Sequence, residues 1–151
     1  MSVIASDNFE SGGWSGGSGW EGSWSQSGDS GIMAAGEPHG GLYHLRLRRA
    51  TGYAEREVDL SDKNDVSIRV WVKTADFEED ETASILISQN GGDSWVTLRT
   101  WVDGEDDNEY DYYEFDVSAY VPSSEFLIAF DANMNWKYDY FYIDDLEVYG
   151  G

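Results

Sequence analysis

"DVSIRVWVKT", residues 65–74, decides the fold. Val66, Ile68, Val70 and Val72 alternate with Ser67, Arg69, Trp71 and Lys73. A period of two gives an extended strand one apolar face and one wet face. Residues 95–102, "WVTLRTWV", repeat the pattern, with Val96 and Leu98 set against Trp95, Arg99 and Trp101. Further short runs stand at 43–49 (YHLRLRR), 83–88 (ASILIS), 112–118 (YYEFDVS), 125–132 (EFLIAFDA) and 140–149 (YFYIDDLEVY). Turn chemistry separates them, including "NGGD" at 90–93 and "VPSS" at 121–124. No stretch holds helical periodicity over three turns. Many short strands at this spacing predict an all-β antiparallel β-sandwich or jelly roll, a single domain over residues 1–151.

Composition agrees. The chain has 151 residues, 40% of them hydrophobic, with Trp 7, Tyr 10 and Phe 6 and no cysteine. That is ample core material, and it excludes both disulfides and thiol chemistry. No run of about eighteen apolar residues occurs, and residues 1–30 lack the basic start and apolar stretch of a signal peptide. The expectation is a soluble chain without a membrane partner, whose export signal was trimmed or lies elsewhere on a larger protein.

Thirty acids against nine Lys and Arg give a net charge of -21. Phosphate binding needs a basic field, so nucleic acid is excluded as a partner. The acidity itself has three readings: a solvated surface suited to salt, divalent-cation ligands, or attraction to a basic partner. Only Lys63, Lys73 and Lys137 among the cations are lysines.

The stretch "GGWSGGSGWEGSWSQSG", residues 12–28, sets tryptophans in glycine and serine. A true linker gains nothing from exposed indoles. In "GWEGSW" Trp20, Gly22 and Trp24 fall on one side of an extended chain, which predicts strand patterning and a packed Trp20 or Trp24. The preceding "SGGWSGGSG" reads as a loop.

Taken in order, "DNFESGG", "GWEGSW", "GEPHGGLYHLRL", "YAEREVDLS", "VSIRVWVKT", "SILISQNGGDSWVTL", "YYEFDVSAYV" and "YFYIDDLEVYG" resemble the jelly-roll accessory domains of microbial secreted proteins. These include MAM-like domains and carbohydrate-binding modules that begin with an "FE" strand and end on an "IDD" strand. The resemblance implies a secreted or cell-surface location and a structural calcium ion tying the first strand to the last. Its implied ligands are Glu10 with Asp144 or Asp145, and Glu37 and carbonyls near His39 to Leu42 as further donors. Calcium takes about six to eight oxygens, so carboxylates gathered from distant sequence suit it. The competing reading has Asp144 and Asp145 merely ending a strand. The clusters "DFEEDET" (76–82) and "DGEDDNEYD" (103–111) lack the spacing of an EF-hand loop and read as acidic hairpin loops or a second ion site.

Parity places Trp71 with Arg69 and Lys73, Trp101 with Arg99, Tyr112 with Glu114, and Tyr140 with Tyr142 on wet strand faces. Sugar rings stack their C–H faces on such aromatics, while neighbouring polar groups bind the hydroxyls. Trp71, Arg69, Trp101, Arg99, Tyr112, Tyr140 and Tyr142 are therefore the candidate polysaccharide site. Burial by cross-strand aromatic pairs and loops is the opposing reading. A bulge swaps faces, and "YFYIDDLEV" requires one, because Phe141 and Ile143 cannot share a regular face with Leu146 and Val148. His44, Arg46 and Arg48 alternate on one face, where they pair with the protein's own acids or meet an acidic polysaccharide.

Catalysis has little support. Only His39 and His44 offer imidazoles, and neither "GxSxG" nor "HExxH" occurs. The expectation is a non-catalytic, polysaccharide-binding module. The alternative is a calcium-stabilised structural or adhesive subunit that self-associates, with Trp71 buried between subunits.

Overall fold

The computed structural model describes residues 1–136 and 138–151. It contains strands β1 (Ser2–Asp7), β2 (Ser25–Ser27), β3 (Ser30–Met33), β4 (His44–Leu47), β5 (Tyr53–Leu60), β6 (Val66–Ala75), β7 (Thr82–Ser88), β8 (Val96–Val102), β9 (Asp111–Asp116), β10 (Ser123–Asn133) and β11 (Tyr140–Gly150), with a 3-10 turn at Ser118–Tyr120. No helix of the described residues is long and apolar enough to cross a membrane.

The strands form two antiparallel sheets. One runs β3-β4-β11-β6-β9, and the other β2-β5-β10-β7-β8. On the edge of β11 opposite β6, β4 pairs with Phe141–Ile143 and β1 with the half from Leu146 to Gly150. The alternation expected for residues 66–72 holds: Val66, Ile68, Val70 and Val72 are buried, while Ser67, Arg69 and Trp71 are half-buried on the other side. Facing them across the core are Ile85 and Ile87 of β7 and Phe126, Ile128 and Phe130 of β10. The chain is thus an all-β sandwich whose sheets cover each other's apolar faces.

Two of the bulges, those of β11 and β8, set which candidate side chains face outward. In β11 the register with β6 shifts between Asp144 and Glu147, and Asp145 adopts φ 47. Phe141 and Ile143 therefore point inward together with Leu146 and Val148, all fully buried.

The second bulge overturns an expectation. In β8 the register with β7 shifts so that Ile85 faces Arg99 and Leu86 faces Thr97, leaving Leu98 without a partner. Beyond it, Trp101 turns into the core at 1% exposure, edge-on to Tyr113 at 5.2 Å and tilted against Phe141 at 5.5 Å. Arg99 follows it inward. Its guanidinium lies 5.4 Å from the Trp101 ring and 5.1 Å from Tyr113, and Nη2 donates to Glu105 Oε2 at 2.9 Å. Trp101 and Arg99 are core and edge packing, not part of an exposed platform.

Residues 20–24 also depart from expectation, forming a loop before β2 instead of a strand. Their indoles pack nonetheless. Trp24 is buried against Phe9 and Phe130, and its Nε1 donates to Asp7 Oδ2 at 2.9 Å. Arg56 completes the anchor: Nη1 donates to Asp7 Oδ2 at 2.7 Å, Nε donates to the Gly22 carbonyl, and the guanidinium sits 5.0 Å from the Trp20 ring. Gly17 and Gly19, at φ 77 and 85, let this loop lie against β1, where any Cβ would collide with the carbonyl oxygens of Ser6 and Ile4. Arg46 and Arg48 converge on Asp29, so the basic face pairs with the protein's own acid.

Candidate functional site

The outer face of the first sheet carries the remaining candidate residues. Register places Trp71 of β6 between Tyr112 of β9 and Asp144 of β11, Lys73 opposite Tyr142, and Arg69 between Glu114 and Glu147. Tyr140 stacks on Tyr142, with ring centroids 5.3 Å apart.

The segment joining β3 to β4 folds over part of this face. His44 Nε2 donates to the Ala35 carbonyl at 2.7 Å, which leaves Nδ1 to accept from the Tyr110 hydroxyl at 2.6 Å. The His44 ring stacks on Tyr142 at 4.3 Å. Lys73 Nζ donates to the carbonyls of Gly36 and Glu37, and the Gly36 backbone lies against the Tyr142 ring. This cover leaves Tyr142 only 5% exposed, so it supports the face from beneath and offers no platform. Burial holds His44 neutral by lowering its pKa to about 4, raises the Tyr142 phenol to about 12, and lowers Lys73.

Beside the cover the face stays open. A cleft of about 460 Å³ is lined by Asn8, Arg69, Trp71, Tyr112, Asp145 and Glu147. Tyr112 is 46% exposed, tilts against Trp71 at 5.4 Å, and donates to Glu114 Oε2 at 3.0 Å. The Arg69 guanidinium lies 3.8 Å above the Tyr149 ring, and Nε is 3.7 Å from Glu114 Oε2. One wall of the cleft is thus aromatic, and the remainder presents a fixed cation, carboxylates and an amide. Of the seven candidate binding residues, the structure brings together Trp71, Arg69 and Tyr112 here. Tyr140 and Tyr142 lie further along the same face.

The candidate metal ligands converge only in part. Glu10 Oε1 accepts from the Leu42 amide at 2.7 Å, and Oε2 from the Tyr43 amide at 3.0 Å. Asp144 Oδ2 accepts from the Gly40 amide at 3.1 Å, and Asp145 Oδ2 lies 2.6 Å from His39 Nδ1. The segment 39–43 is therefore gripped by Glu10 just past β1 and by two adjacent aspartates of β11. Asp144 is wholly buried, and burial together with the Asp145 charge raises it to about 7. A buried carboxylate beside a second one is a setting that favours a cation. Glu37 stands apart: it lines a separate hollow with Lys73 and Tyr140. Among the described residues, the acidic trio with oxygens within 4.8 Å of one another is a different one, Glu78, Glu81 and Asp139.

Sequence reasoning missed His39 as a cover for Trp71, Tyr110 as the partner of His44, and Asn8 in the cleft. The first two arise from loop placement, which no periodicity encodes. Asn8 adjoins the "FE" pair and carried no signal of its own.

No protein-family model matches the sequence. No curated protein matches it either. Solved structures do share its fold. TmCBM61 in complex with β-1,4-galactotriose is 19% identical with a TM-score of 0.63, the match covering 95% of this chain and 94% of that one. The CBM22-1 xylan-binding domain from Paenibacillus barcinonensis Xyn10C is 15% identical with a TM-score of 0.60, covering 97% and 92%. The K2 cleaved adhesin domain of Lys-gingipain is 14% identical with a TM-score of 0.63, covering 95% and 98%. At such identities the likeness establishes the architecture alone: this chain shares the β-sandwich fold of these structures.

Proposed function

We propose that this chain is a non-catalytic module that holds a polysaccharide outside the cell, in the cleft between Tyr112, Trp71 and Arg69. The observation that carries this reading is the exposed Tyr112 ring set beside Trp71 and facing Arg69, Asn8 and Glu147. A sugar ring stacks on the phenol while its hydroxyls donate to the carboxylates and accept from the guanidinium. The solved structures of this fold, named for xylan and β-1,4-galactotriose, support the class of ligand. A net charge of -21 repels polyuronates, so the glycan is a neutral one. Affinity electrophoresis through xylan and β-1,4-galactan tests the assignment. Retardation of the wild type that Tyr112→Ala abolishes supports it, and equal mobility of the two proteins in every glycan overturns it.

In the same reading, a calcium ion joins Glu10, Asp144 and Asp145 to carbonyls of residues 39–42 and stiffens the cover over Trp71. A chelator then lowers the melting temperature of the wild type by more than that of Asp145→Asn.

A second reading, an adhesive subunit, is favoured by one feature of the surface. Trp136 and Tyr138 are 53% and 48% exposed and meet edge-to-face at 4.9 Å in the loop between β10 and β11. Self-association in sedimentation that Trp136→Ala removes, without any glycan retardation, selects that reading.

A further inference from the structure

We infer that Glu78, Glu81 and Asp139 form a second site, for a hard divalent cation of the calcium type, which clips together two of the connections that cross between the sheets. One connection leads from β6 to β7 and the other from β10 to β11. Both pass from one sheet to the other at the same end of the sandwich, since Ala75 pairs with Tyr140 and Thr82 with Asn133. Glu78 and Glu81 come from the first connection and Asp139 from the second. An oxygen of each lies within 4.8 Å of the other two.

The cluster is built, not merely acidic. Glu81 is 4% exposed, and its two oxygens accept from the amides of Glu78 at 2.6 Å and Asn135 at 2.7 Å, which fixes the carboxylate between the two connections. Asp139 is 1% exposed, and its buried Oδ2 has no hydrogen-bond donor. Among the described residues, no ion pair reaches any of the three. Two buried carboxylates with no cationic partner among the described residues are strongly unfavourable, and a shared proton or a bound cation relieves them. Burial, a side-chain hydrogen bond with Glu81 and the charges of Glu81, Glu78 and Asp76 raise Asp139 to about 7, so without a cation the pair is relieved by sharing a proton.

The donor set names the ion. It is all oxygen, without thiol or imidazole, which disfavours zinc and copper. Loops of irregular geometry suit calcium, which accepts varied angles, better than magnesium, which demands an octahedron. Glu78 is exposed, so the site is open to water ligands on that side.

The test is a calorimetric calcium titration of protein stripped by chelator, in the wild type, Asp139→Asn, Glu78→Gln and Asp145→Asn. Asp145→Asn removes the calcium proposed near Glu10 and leaves this one. The expected result is a binding event in Asp145→Asn that Asp139→Asn abolishes in the same background and Glu78→Gln weakens roughly tenfold or more through lost ligand charge. Terbium luminescence excited through Trp136, in the same connection, follows the same order. Glu78 is exposed, so Glu78→Lys reads out the site should Asp139→Asn fail to fold. Equal binding in Asp145→Asn and its Asp139→Asn and Glu78→Lys derivatives overturns the proposal, as does an Asp145→Asn protein that binds no calcium. A titration unchanged by Asp145→Asn but lost in Asp139→Asn upholds this site and removes the one near Glu10.

Discussion

The His39 imidazole lies flat on the Trp71 indole, ring centroids 3.9 Å apart and planes 18° from parallel, while its Nδ1 reaches Asp145 Oδ2 at 2.6 Å. One side chain thus joins the cover over the sheet, the aromatic wall of the cleft and the carboxylate pair of β11. His39→Ala breaks all three links. It is expected to cost about 1–2 kcal/mol, the sum of a stacked aromatic pair and a charge-assisted hydrogen bond that is part-exposed. The freed indole becomes accessible, so acrylamide quenching of tryptophan emission rises. Unchanged quenching would mean that the indole stays covered without the imidazole.

Trp101 and Tyr112 should separate stability from binding. Trp101 is enclosed between the sheets, and Trp101→Ala leaves a large void that costs about 3–5 kcal/mol. Glycan affinity of the fraction that still folds stays at the wild-type value. Tyr112→Ala reverses the pattern: it removes a half-exposed ring, costs about 1 kcal/mol or less, and eliminates retention on the glycan. Urea unfolding and affinity electrophoresis on both variants check this. Loss of retention in Trp101→Ala protein that is fully folded would place the binding surface elsewhere.

The same two residues show how far the sequence could be read. Regular alternation located β6 and its two faces without ambiguity, because Val66 to Val72 keep one phase throughout. In β11 two apolar pairs stand out of phase, and that mismatch announces a bulge. In β8 nothing does. Val96 and Leu98 fit a regular strand with Trp101 on the wet side, and only the pairing with Ile85 and Leu86 reveals the slip that turns Trp101 inward. The cover over Tyr142 was equally hidden, since it depends on where residues 34–43 run after leaving β3. Trp24 was legible as a packed residue from its chemistry, although the strand assigned to it was not there.

His44 predicts a pH dependence. Its folded pKa of about 4 lies below the ordinary 6.5, because burial disfavours the imidazolium. The unfolded chain binds the proton first, so this contribution is complete above pH 6.5 and is lost as the pH falls toward 4, by up to about 3 kcal/mol. His44→Gln removes the titrating group. The difference in unfolding free energy between wild type and His44→Gln should therefore shrink as the pH falls across that window. A difference that stays constant with pH would show that His44 is free to protonate in the folded protein.

Asp7 and Arg56 hold the tryptophan loop to the sandwich, and their pairing predicts an asymmetry between single and double replacement. Asp7 is 1% exposed and accepts from Arg56, Trp24 and the Phe9 amide, so Arg56→Met strands a buried charge and costs about 3–5 kcal/mol. Adding Asp7→Asn discharges that site while its amide oxygen still accepts one of the remaining donors. The double variant is thus expected to recover roughly half of the loss, by the same argument that a neutral polar group is cheaper to bury than an unpaired ion. The loop itself reports the break. Arg56 also caps the Gly22 carbonyl and lies over Trp20, so its removal frees residues 12–24 before the sheets separate. Limited proteolysis should nick Arg56→Met within that segment under conditions where the wild type is intact. Cleavage there at the wild-type rate would show that the loop is held by Trp24 burial alone.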